Sequence, residues 1–184
     1  MVSSIFTLLA LPALALCAPA TLVPRGVQAG KASFRNNCPY SVKVEAFPGS
    51  GCSSNPGATV ASGSTWSDKL QDCSGGNTAL KVYEDGKSKP MQFEYGISGG
   101  MLWYDMSFID CISGSSDMSE CAGTAWAMKG NDNCKAWQCN GPNCCEQGYC
   151  DPYATNMAEE PTAGCGAAEG ITDSSQFGVV IDLC

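Results

Sequence analysis

The sequence predicts an all-β sandwich with a disulfide-rich loop lobe, and three observations carry that prediction. Several short segments alternate apolar and polar residues with a period of two, as half-buried strands do. Asp85-Gly86 and Gly99-Gly100 separate such segments in the manner of tight turns. No stretch of helix length carries an apolar period of 3.6 residues, while the chain holds 13 cysteines.

The opening "MVSSIFTLLALPALALCAPA" has an apolar run from Ile5 to Leu16 followed by small residues. That is the pattern of a secretory signal peptide over residues 1–20, although the usual basic start is missing. Cleavage is expected after Cys17 or after Ala20, with Ala15 or Ala18 three residues upstream. The run is too short for a membrane span, and no second one follows. A secreted, soluble protein of the extracellular space or cell wall is expected. "TLVPRGVQAGKAS" then reads as a flexible arm over residues 21–32.

The body, residues 33–184, begins at "FRNNCPYSVKVEAF", where Val42, Val44 and Ala46 alternate with Ser41, Lys43 and Glu45. "GSGCSSNPGATVASGS" is turn and loop material. "TWSDKL", "TALKVYE", "MQFEYGI" and "MLWYDMSFIDC" read as further strands, and "QFGVVIDLC" as the closing one. Between about residues 112 and 175 the alternation dissolves into a cysteine-rich insertion, within which "ECAGTAWAMKG" is read as a short helix. A mature chain of roughly 165 residues buries one sizeable core, so a single domain is expected.

Either cleavage removes Cys17 and leaves an even set: Cys38, Cys52, Cys73, Cys111, Cys121, Cys134, Cys139, Cys144, Cys145, Cys150, Cys165 and Cys184. In an oxidising compartment these read as six disulfides, with on the order of 10⁴ pairings open to them. Adjacent Cys144 and Cys145 must take different partners. Zinc spacing is a weaker reading, because secreted thiols oxidise, so no metal and no cofactor is expected.

The formal charge of −8 is uneven. Residues 19–112 hold eight basic and eight acidic side chains, whereas residues 113–184 hold two basic and ten acidic ones. That surface argues against nucleic acid or an anionic membrane as partner. The chain has no histidine, which excludes Ser-His-Asp and Cys-His catalysis.

Carboxylates on strands remain: Glu94, Asp105 and Asp110. Acidic residues are poor strand formers, yet these three stand beside Phe93, Tyr95, Trp103, Tyr104 and Phe108. Solvated charges on a sheet edge are the plain reading. Carboxylates with aromatic platforms also suit a polyhydroxylated ligand, with Tyr95 and Tyr104 as expected contacts. In "WYDMSFID", Asp105 and Asp110 point to opposite faces of a straight strand. Sharing a site requires a bulge or bend near Ser107-Phe108, or the strand's end.

"FRNNCPYSVKV", "FEYGISGGMLWYDMSFIDC", "CCEQGYC" and "FGVVIDLC" together resemble the thaumatin-like proteins, most closely a small secreted fungal branch related to the Blastomyces yeast-phase-specific proteins. The resemblance implies a β-sandwich, a disulfide-rich lobe, an acidic cleft between them and a Cys38–Cys184 bridge. The family's cleft is lined by one Arg, one Glu and three Asp. By motif the Glu falls on Glu94 and the first two Asp on Asp105 and Asp110. The Arg has no match in "ALKVYEDGK", and Asp173 is only a guess for the third Asp. The expected function is therefore non-catalytic binding of cell-wall polysaccharide, β-1,3-glucan, by a monomer with an incomplete acidic cleft. The alternatives are a weak endo-β-1,3-glucanase using a carboxylate pair, and a secreted effector or antigen that binds a host protein.

Overall fold

The computed structural model describes residues 26–114, 117–121, 124–141, 144–151 and 161–184. The expected signal peptide and its cleavage points lie outside the described residues. Two β-sheets face each other. The five-stranded sheet runs β4 (Thr65–Lys69), β1 (Lys31–Asn36), β11 (Val179–Leu183), β8 (Trp126–Lys129) and β9 (Ala136–Cys139). The six-stranded sheet runs β10 (Thr162–Cys165), β7 (Met101–Ser107), β6 (Met91–Ser98), β5 (Thr78–Tyr83), β2 (Val42–Phe47) and β3 (Ala58–Val60). Neighbouring strands pair antiparallel except β1 with β11, which are parallel.

The core lies between the sheets, and the period-two pattern decides what enters it. Val42 and Val44 on β2, Leu80 and Val82 on β5, and Met91, Phe93 and Tyr95 on β6 are all buried. Phe34, Phe93, Trp126 and Phe108 form a chain of ring contacts, with centroids 6.4, 6.0 and 6.1 Å apart, that joins the two sheets. Each such ring contributes about 1.5–3 kcal/mol by leaving water.

Two local devices fix the register. Gly99 and Gly100 take φ of 60° and 74°, the left-handed pair that a two-residue hairpin turn needs. The turn sets Ser98 opposite Met101, and counting back along β6 and β7 brings Glu94 opposite Asp105. Buried Asn36 donates to the carbonyls of Tyr40 and Val60, while its own side-chain oxygen accepts from the Cys38 N–H. One side chain thus ties the end of β1 to the start of β2 and to β3.

Cysteine pairing is Cys38–Cys184, Cys52–Cys73, Cys111–Cys121, Cys134–Cys165, Cys139–Cys144 and Cys145–Cys150. All twelve expected cysteines are used, and Cys144 and Cys145 take different partners. Among the described residues of "ECAGTAWAMKG" the expected helix does not occur: Trp126–Lys129 is β8, hydrogen-bonded along β11 and β9. Pairing on both edges and burial of Trp126 and Met128 outweigh the helix preference of Ala and Met. Among its described residues the cysteine-rich region therefore contributes three strands besides its loops. At the other end, β1 begins at Lys31, inside the expected arm, and the Gly30 N–H donates to the Phe177 carbonyl.

Candidate functional site on the outer sheet face

The site is built on the side of the six-stranded sheet that faces away from the core. Inward residues on β6 are Met91, Phe93, Tyr95 and Ile97, so Gln92 and Glu94 point outward. On β7 the inward residues are Leu102, Tyr104 and Met106, which leaves Trp103, Asp105 and Ser107 outward. Register then places Thr162 of β10, Asp105 of β7 and Glu94 of β6 side by side in one row.

Glu94 and Asp105 are hydrogen-bonded through their carboxyl groups, and Asp105 also contacts the Thr162 hydroxyl. Asp105 is only 6 % exposed. Its Oδ1 has no hydrogen-bond partner among the described residues. Burial, the Glu94 charge and the Glu94 hydrogen bond push the Asp105 carboxyl up to about 8. Burial also raises Glu94; Asp105's hydrogen bond opposes this, Asp110 adds to it and Lys81 again opposes it. Two carboxyls in contact cannot both be charged at neutral pH, so the pair holds one proton. That proton is engaged between the two carboxyls, so what the pair offers outward is acceptor lone pairs, which can take hydrogen bonds from hydroxyls.

Asp110 reaches this face because β7 ends at Ser107. The chain turns there, with the Cys111 and Ile112 N–H groups donating to the Phe108 carbonyl, and the Asp110 carboxylate meets Lys81 of β5 at 2.6 Å. Of the three routes open to the sequence, the strand's end is the one taken. The structure thus brings Glu94, Asp105 and Asp110 to one face.

It does not bring the two tyrosines there. Tyr95 and Tyr104 have the opposite parity on their strands and point into the core, so the expectation that they contact ligand is corrected. The Tyr104 hydroxyl donates to the Lys135 carbonyl, and burial pushes it up to about 12. The aromatic residue on this face of β7 is Trp103, two residues before Asp105, whose indole N–H donates to the Ser98 carbonyl at 3.2 Å. Gly164 on β10 makes room for it: a Cβ there would lie 2.9 Å from the indole ring.

Lys81 was missed in the sequence as a site residue. It stands outward on β5 in the row next to Glu94, and provides the cation for which no arginine was found. Arg35 is elsewhere, bound through two guanidinium nitrogens to Asp182 at 2.7 and 3.2 Å on the five-stranded sheet. Asp173 accepts from the Ser175 N–H in a short turn, away from the pair. No group of three or more His, Cys, Asp or Glu suited to a metal occurs among the described residues. No helix among them is long and apolar enough to cross a membrane.

A solved protein structure shares this fold. The solved structure of the protein elicitor MoHrip2 from Magnaporthe oryzae superposes with a TM-score of 0.58 at 20% identity, covering 85% of this chain and 99% of that one. The thaumatin-like xylanase inhibitor TLXI gives 0.48 at 13% identity, covering 83% of this chain and 98% of that one. No curated protein matches in sequence. A family model described as Blastomyces yeast-phase-specific protein matches residues 19–172, most of the chain. The chain belongs to the Blastomyces yeast-phase-specific protein family.

Proposed function

We propose that this is a secreted, non-catalytic protein that binds cell-wall polysaccharide, β-1,3-glucan, through the outer face of its six-stranded sheet. The observation that carries the reading is the Glu94–Asp105 pair, in which Asp105 is buried and one of its oxygens is left without a partner among the described residues. A buried acceptor without a donor is costly unless a ligand supplies one. A neutral, hydroxyl-rich chain does so without bringing charge onto a floor that already carries a net negative one. Trp103 and Lys81 lie on the same side of the sheet, giving a ring for a sugar face and a donor. Six disulfides fit a secreted protein.

The geometry disfavours glycoside hydrolysis by this pair. Retaining and inverting enzymes hold their carboxyls about 5–9.5 Å apart, so that a sugar or a water fits between them. Here Glu94 and Asp105 are hydrogen-bonded to each other.

The test is a pull-down with insoluble β-1,3-glucan, comparing wild type with the Asp105→Ala/Asp110→Ala variant, each shown to be folded by circular dichroism. Retention of wild type and its loss in the variant is expected. Equal retention of both would sink the reading and leave the effector alternative, in which a host protein is bound elsewhere.

A further inference from the structure

Register continues the Thr162–Asp105–Glu94 row across two more strands, to Ala79 on β5 and Phe47 on β2. All five residues lie on the outer face. At about 4.8 Å between neighbouring strands, the four steps span roughly 19 Å. Ala79, the smallest side chain in the row, leaves a low floor between Glu94 and Phe47. Gly96, opposite Trp103 on β6, makes room for the Asn77 side chain rather than for ligand, since a Cβ there would stand 2.5 Å from Asn77 Oδ1.

Phe47 closes the row and is 50 % exposed. Phe47 and, at 39 %, Ile109 are the exposed large hydrophobic side chains among the described residues, and both border the same ion pair. The Lys81 ammonium lies 5.1 Å from the Phe47 ring centre and 2.6 Å from Asp110, the residue after Ile109. An apolar ring held in water beside a fixed cation, in line with buried hydroxyl acceptors, has the composition of a sugar subsite: stacking surface at one end, hydrogen bonds at the other.

We infer that Phe47 forms the far subsite of the polysaccharide site, so that the ligand crosses the strands from Asp105 over Ala79 to Phe47 and is read as an extended oligomer. This rests on the function proposed above. The Lys81 ammonium then sits beside the middle of the chain, shared between the Phe47 ring and Asp110 and able to donate to a hydroxyl.

Calorimetric titration with β-1,3-linked glucose oligomers of increasing length tests it, using wild type, Phe47→Ala, Phe47→Trp and Asp105→Ala/Asp110→Ala. Wild-type affinity is expected to rise with length until the row is filled. Phe47→Ala should weaken the long oligomers about tenfold and leave the short ones unchanged, a ring contact being of that size. Phe47→Trp should restore the long-oligomer affinity. If Phe47→Ala binds every length as wild type does while the double aspartate variant loses all of them, the cross-strand path is wrong and the polysaccharide reading stands. If wild type binds no oligomer, or the aspartate variant binds as well as wild type, both fall.

Discussion

Replacing Asp105 with asparagine should make the protein more stable at neutral pH, by an amount that grows with pH. An unfolded chain ionises this group near 3.8, whereas in the folded protein burial and Glu94 hold its proton up to about 8. The folded state therefore binds the proton more tightly, and stability must fall as pH rises between those values. The benefit of the held proton is complete below the unfolded value and is lost through the folded one. The slope is about 1.4 kcal/mol per pH unit, and from 3.8 to 7 it accumulates to about 4 kcal/mol. The asparagine side chain keeps the shape and a hydrogen-bond donor toward Glu94 but has no proton to lose. Facing it are Glu94 from β6 and Thr162 from β10, while Lys81 and Asp110 act on Glu94. Urea unfolding followed by circular dichroism, with disulfides intact, should give coincident midpoints near pH 4. The midpoints should then diverge by about 0.7 M per pH unit, for a denaturant slope of about 2 kcal/mol/M. Parallel curves for wild type and Asp105→Asn from pH 4.5 to 7.5 would refute the shared-proton pair.

Other perturbations probe the frame and the charge layout. Asn36→Ala leaves the Tyr40 and Val60 carbonyls and the Cys38 N–H without this partner, and should cost about 2–4 kcal/mol in a thermal or denaturant melt. Lys81→Met removes the cation that lowers Glu94 and leaves Asp110, which raises it; carbon-detected NMR titration should show Glu94 ionising at higher pH than in wild type. The same variant should change global stability by less than about 1 kcal/mol, because the Lys81–Asp110 bridge is partly solvated. Converting Cys38 and Cys184 to Ser opens a loop of sequence separation 146 and should cost about 5 kcal/mol on the chain-entropy estimate.

Where the strand pattern was strong, the sequence was informative. Leu80, Val82, Phe93 and the Val42–Ala46 alternation all resolve as expected, because period-two burial is a local property of the chain. The same parity argument, applied across β6 and β7 together, separates Glu94, Trp103 and Asp105 from Tyr95 and Tyr104. Proximity in sequence put the tyrosines with the carboxylates; pleating put them on the other side. Three things were not legible. β8 depends on pairing with β11, which is remote in sequence, so its Ala and Met content pointed to a helix. Whether Asp110 joins the site depends on where β7 stops. Phe47 and Lys81 belong to the site only once β2, β5 and β6 are placed next to one another, which no local pattern states.

The parallel contact between β1 and β11 also bears on how the molecule is made. β1 lies between β4 and β11 in the five-stranded sheet, and its β11 edge has no partner until residues near Leu183 have been synthesised. At about 5–20 residues per second, the separation of 146 residues between Cys38 and Cys184 takes roughly 7–30 s to traverse. Throughout that interval Cys38 is a thiol awaiting its partner while ten other cysteines emerge around it. Pairs only five residues apart, Cys139–Cys144 and Cys145–Cys150, need no distant partner and can close once they reach an oxidising compartment. The local pairs are thus complete in sequence well before Cys184 exists, so the bridge between the first and last strands cannot form until every other cysteine has been made.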